Sequence, residues 1–121
     1  MATLSVKAWA ALAFSTIAVA GGATLVQAQS RSDWLSTGQS VSYNGYLLAG
    51  EVVNATCDSD CTDLDIMLYD ATSGELVASD TLVDAQPVVA APYEGNFVIE
   101  VVMASCSVEP CATWTTSEHG F

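Results

Sequence analysis

After about residue 38 the chain alternates apolar and polar residues in short runs separated by turn residues, which is the signature of half-buried β-strands. The clearest run is Asp63–Asp70, where Leu64, Ile66 and Leu68 fall on one face and Asp63, Asp65, Met67 and Tyr69 on the other. Asn96–Met103 repeats the pattern, with Phe97, Ile99, Val101 and Met103 together and Glu100 opposite. Weaker runs cover Gln39–Tyr43, Glu51–Thr56, Glu75–Ser79, Gln86–Ala91 and Ala112–Thr116, the last with Trp114 as its expected core anchor. Thr72-Ser73-Gly74 reads as a turn whose Gly takes a positive φ, and Pro87 suggests an edge or a strand start. No segment of the mature chain keeps a helical period over three turns. The pattern predicts an all-β antiparallel sandwich, jelly-roll or Ig-like, of about 7–8 strands. The domain is expected over 39–118, with 29–38 as a polar leader.

The first residues follow a different logic. Lys7 precedes an uncharged run from Ala8 to Val26, ending at Val26-Gln27-Ala28. A positive start, an apolar stretch and small residues before a cut describe a secretory signal peptide over 1–28, cleaved after Ala28. The competing reading is an uncleaved anchor, because the run nearly reaches membrane-spanning length. Gly21-Gly22 favours cleavage, and no Cys stands at the cut to carry a lipid.

Charge then narrows the partners. All 14 acidic residues lie after Ala28, where Arg31 alone opposes them, and the whole chain carries −12. A mature chain without Lys cannot neutralise phosphates, which argues against nucleic acid and against anionic membrane surfaces.

Four cysteines form two close pairs, Cys57-x3-Cys61 and Cys106-x4-Cys111. In the secreted or periplasmic compartment a signal peptide implies, disulfides are the default, and a four-thiolate zinc site has the wrong spacing. Crossed bridges would close longer loops and stabilise more. Local bridges, 57–61 and 106–111, need no approach of distant segments and are favoured on geometry. Both cysteine loops are expected at one end of the sandwich, where function would concentrate.

Asp58, Asp60, Asp63 and Asp65 crowd the first cysteine loop, and Glu109 of the second could join them. Ca²⁺ takes about six to eight oxygens, several from carboxylates on flexible loops, so these are the candidate metal ligands. The alternative is that Asp serves as a turn residue, with Asp63 accepting backbone N–H groups of the adjoining loop. No other cofactor is implied.

Catalytic chemistry finds no footing. His119 is the single His and stands two residues from the C-terminus, where fraying makes a poor general base. Triads lack a partner, and a carboxylate pair for glycoside hydrolysis would need a cleft that so small a domain barely affords. Asn54-Ala55-Thr56 matches a glycosylation acceptor, relevant only to a eukaryotic source. Trp34, Tyr43, Tyr46 and Trp114 could stack on sugar, although anchoring of strands is the commoner use.

From Gly38 to Thr116 the chain resembles the bacterial pre-peptidase C-terminal domain family. The resemblance is carried by Asp63-Leu-Asp-Ile-Met-Leu-Tyr-Asp70, Ser73-Gly74-Glu-Leu-Val-Ala78 and Tyr93-Glu-Gly-Asn-Phe-Val-Ile-Glu-Val101. It implies a jelly-roll-like sandwich that accompanies secreted peptidases, and Ca²⁺ near Asp63 and Asp65. The missing peptidase and the two cysteine loops depart from the family pattern and suggest a stand-alone secreted member. The resulting expectation is a non-catalytic module that binds a protein or a polysaccharide. The alternatives are a Ca²⁺-binding or Ca²⁺-stabilised domain and, last, a small hydrolase.

Overall fold

The computed structural model describes Ser30–Phe121, and the segment read as a signal peptide, 1–28, lies outside the described residues. Eight strands follow in order: β1 Arg31–Leu35, β2 Ser40–Leu47, β3 Val52–Cys57, β4 Cys61–Asp70, β5 Leu76–Asp80, β6 Val88–Ala90, β7 Gly95–Cys106 and β8 Cys111–Ser117. They form two antiparallel sheets, ordered β1-β8-β3-β6 and β2-β7-β4-β5. Only β4 and β5 are joined as a hairpin within one sheet; every other connection crosses from sheet to sheet. This nesting of first with last, second with seventh and third with sixth is jelly-roll order, which decides between the two sandwich types expected.

The core follows from the alternation. Leu64, Ile66 and Leu68 of β4 meet Phe97, Ile99, Val101 and Met103 of β7 on the inner face, all fully buried. From the facing sheet come Val53, Ala55, Val89 and, on β8, Thr113 and Thr115. Asp63 and Asp65, on the other side of the same pleat, stay half-buried at the outer surface. Gly74 takes the positive φ of 77° that its turn requires.

Three expectations need correction. The segment read as a leader contains β1, an edge strand paired with β8 from Leu35↔Cys111 to Arg31↔Thr115. Five residues with one clear apolar position, Leu35, are too short to show a period. Trp114 is not a core anchor, because the inward positions of β8 are Cys111, Thr113, Thr115 and Ser117 and the pleat turns Trp114 out. The C-terminus does not fray. Glu118 N–H donates to Val52 O and its Oε1 accepts the Val52 N–H, while Phe121 lies against Tyr43. Arg31 Nε–H donates to the Phe121 backbone oxygen, and its guanidinium sits over both rings at 5.6 and 5.1 Å.

Glu51 holds this end together. Its carboxylate is buried and accepts from Leu48 N–H (2.9 Å), the Ser117 hydroxyl (2.7 Å) and His119 N–H (3.1 Å). Burial alone would raise its pKa, but these donors together outweigh burial and hold it below the usual glutamate value. A depressed carboxylate stabilises the fold above its unfolded pKa and loses that contribution as pH falls through the lower folded value. Glu51→Ala should therefore cost about 3 kcal/mol at neutral pH in urea unfolding, because three donors lose their acceptor. It should also flatten the acid side of the stability–pH curve.

Candidate functional site

The alternating topology sends every odd-numbered connection to one end of the sandwich. The β1–β2, β3–β4, β5–β6 and β7–β8 loops therefore gather there, with both cysteine pairs. The bridges are Cys57–Cys61 and Cys106–Cys111, with Cα separations of 5.9 and 6.0 Å. Neither closes a hairpin, as the sequence had suggested. Cys57 and Cys111 belong to one sheet and Cys61 and Cys106 to the other, so each short bridge also spans the two layers. Cys61 and Cys106 are cross-strand partners, which sets the two loops side by side.

Backbone and side-chain hydrogen bonds then lock the loops to one another. Asp58 N–H donates to Ala112 O at 3.1 Å, and Ala112 N–H returns to Asp58 Oδ2 at 2.9 Å. Asp58 Oδ1 accepts the Asp60 N–H. Asp60 O accepts both the amide and the hydroxyl of Ser107. In the β1–β2 turn, Thr37 Oγ1 pairs with the Cys106 N–H and carbonyl, and its amide donates to Glu109 Oε2 at 2.8 Å. Contacts from the Thr37 side chain and amide hold Glu109 below the usual glutamate range.

The fourth loop, 81–87, covers the stretch of β4 that β5 leaves unpaired, with Leu64 N–H donating to Asp84 O at 2.9 Å. Asp80 accepts the amides of Leu82 and Val88, and Asp84 that of Gln86, so carboxylates fix its path. Its tip raises Leu82 and Val83 into solvent at 71% and 85% exposure, and Val108 of the β7–β8 loop stands 63% exposed at the same end. The sequence pattern did not single out this loop. The signal was present in an apolar pair, Leu82-Val83, flanked by Asp80 and Asp84.

The four aspartates expected to bind a cation do not converge. Asp58 is committed to the backbone N–H groups of Asp60 in its own loop and of Ala112 on β8, and Asp60 lies beside it. Asp63 and Asp65 sit on the outer side of β4, near Asp80 and Asp84. Among the described residues no three His, Cys, Asp or Glu side chains are grouped to hold a metal ion. Asp58, rather than Asp63, does the capping. The Oδ1 atoms of Asp63 and Asp65 are buried and accept no hydrogen bond.

The four aromatic residues that could stack on sugar also divide. Tyr43 is inside, where burial and the neighbouring Asp33 push its phenol up to about 12. Tyr46 is on the outer face of the second sheet, bonded to Glu94. Trp34 and Trp114 share the outer face of the first sheet.

No protein-family model matches the chain, and no curated protein matches it in sequence. Among solved structures it is similar to PliG of Aeromonas hydrophila, a periplasmic lysozyme inhibitor of g-type lysozyme. The likeness is one of fold. It has a TM-score of 0.50 at 14% identity and covers 77% of this chain and 88% of that one.

Asp65 provides a direct test of the local electrostatics. Burial raises its pKa, and the charges of Asp63, Asp80 and Asp84 raise it further. A carboxyl raised in the folded state favours folding below its unfolded value, and the advantage is lost as pH climbs through the folded value. Asp65→Asn should raise the melting temperature at pH 7 and leave it unchanged near pH 3, which thermal unfolding across pH measures.

Proposed function

We propose that this chain is a secreted or periplasmic, non-catalytic module that binds a basic partner protein through its cysteine end. The observation that carries this reading is a four-loop surface tied by two disulfides, acidic on three of its loops, from which Leu82, Val83 and Val108 project. Its acids are Asp58, Asp60, Asp80, Asp84 and Glu109, with Asp63 and Asp65 just behind. No Lys or Arg occurs there; the single Arg of the described residues, Arg31, is held under Phe121 and Tyr43 at the opposite end. Such a field steers a cationic protein, and exposed aliphatic tips supply contacts that lose water on docking. Loops already fixed by disulfides and hydrogen bonds lose little freedom on binding.

The likeness to a periplasmic lysozyme inhibitor supports a protein as the partner class and makes a g-type lysozyme the first protein to try. A stand-alone relationship to pre-peptidase C-terminal domains belongs to the same proposal, since it implies an accessory, binding role. The two disulfides fit an oxidising compartment.

Calorimetric titration into a g-type lysozyme is expected to show saturable binding that weakens steeply between low and high salt. Val83→Glu and Asp60→Lys should each weaken it at least tenfold with the melting temperature retained. Absence of binding at low salt, or binding indifferent to both substitutions, removes this reading.

A second reading is favoured by the two orphaned oxygens of Asp63 and Asp65, which a divalent cation would satisfy. Millimolar Ca²⁺ should then raise the melting temperature of the parent protein and not that of Asp65→Asn. An unchanged parent melting temperature discards it.

A further inference from the structure

The outer face of the β1-β8-β3-β6 sheet differs from the rest of this acidic molecule. Alternation and register place Ser32 and Trp34 of β1, Ala112, Trp114 and Thr116 of β8, Val52, Asn54 and Thr56 of β3, and Val88 and Ala90 of β6 on it. None of these strand residues carries a charge, in a chain with 14 carboxylates; the face is bounded by Asp58 beside Ala112 at one end and Glu118 beside Val52 at the other. The acidic residue of β1, Asp33, points inward to Tyr43. Trp34 is 66% exposed and Trp114 42%. Trp34 stands opposite Ala112 and Trp114 opposite Ser32, so the two are diagonal neighbours on adjacent strands, about 7–8 Å apart. Open indoles are costly to leave in water, and β8 places Cys111, Thr113, Thr115 and Ser117 inside while keeping Trp114 out.

We propose that this face is a stacking platform for a neutral polysaccharide chain, with one sugar ring on Trp34 and a second on Trp114. The chemistry selects the occupant. An indole offers a flat apolar surface that matches the C–H face of a pyranose ring, and sugar hydroxyls need short polar groups beside it. Ser32, Asn54, Thr56 and Thr116 provide these on the same strands, and the Thr116 hydroxyl already bonds Asn54 Oδ1 at 3.1 Å. Charge excludes the competitors. A polyanionic glycan is repelled by the net −12, and a second copy would bring a second set of carboxylates. A cationic protein is drawn instead to the acidic cysteine end. A protein hot spot would also need a pocket closed by a surrounding rim, whereas this face is an open pleated sheet. The platform adjoins the cysteine-end surface at Asp58 but shares none of its projecting residues Leu82, Val83 and Val108, so either can fail without the other.

The protein carries its own reporter, because Trp34 and Trp114 are the two tryptophans that follow Ala28. The secreted protein would be titrated with cellohexaose, chitohexaose, xylohexaose and mannohexaose, following tryptophan emission and heat. The expected result is a saturable blue shift with at least one of them, lost in Trp34→Ala/Trp114→Ala, and weakened at least tenfold in each single variant. Melting temperatures and lysozyme titrations of the variants should match the parent, which separates loss of the platform from loss of fold. No spectral change with any of the four overturns the proposal. So does glycan binding that survives in the double variant, or protection of both tryptophans from acrylamide by the lysozyme instead of by a glycan.

Discussion

Two sheets that share no backbone ladder stay face to face only through their buried interior and the segments that cross between them, and here the crossings at one end are covalently shortened. Each disulfide closes a loop of five or six residues, which constrains the unfolded chain by only about 2 kcal/mol. The larger consequence is positional. Cys57–Cys61 and Cys106–Cys111 each tie one layer to the other, and Cys61 lies opposite Cys106. The Asp58–Ala112 pair of hydrogen bonds then ties the first loop to the start of β8, and the Ser107 bonds to Asp60 O tie it to the second loop. What the bridges secure is a fixed arrangement of loop tips.

The opposite end achieves closure by polar means. Glu51 gathers Leu48, Ser117 and His119, and Arg31 is sandwiched with Tyr43 and Phe121. This has a consequence for charge: the one Arg of the described residues is engaged in the closure of that end. The remaining acids are left to the loops and strand ends without counter-ions, while the middle of one broad sheet face, between Asp58 and Glu118, carries none. The molecule is thereby divided into an acidic end of projecting loops and a neutral, flat side.

Much of the architecture was legible in residue order. The alternation in Asp63–Asp70 and Asn96–Met103 identified the inner faces of β4 and β7, because a two-residue period has one sterically sensible reading when one face must be buried. Local spacing favoured the disulfide pairing the structure contains. What stayed hidden was long-range. β1 was missed because Arg-Ser-Asp-Trp-Leu shows a strand only once β8 lies beside it. The cysteine loops were read as hairpins because spacing along the chain does not say which sheet a strand joins. Asp58 looked like a ligand, yet its partner is an amide fifty-four residues away.

The candidate surfaces show the same limit from the other side. Trp114 was expected inside because Trp is large and apolar, and that inference would hold for an isolated residue. On β8, however, Cys111 must reach Cys106, which fixes the phase of the whole strand. With Cys111 inward, Thr113 and Thr115 follow it and Trp114 is turned to solvent. β1 is paired in register with β8, so Trp34 is carried to the same side. The disulfide that clamps the acidic end thus also determines which side the indoles face, and a single covalent constraint accounts for both surfaces.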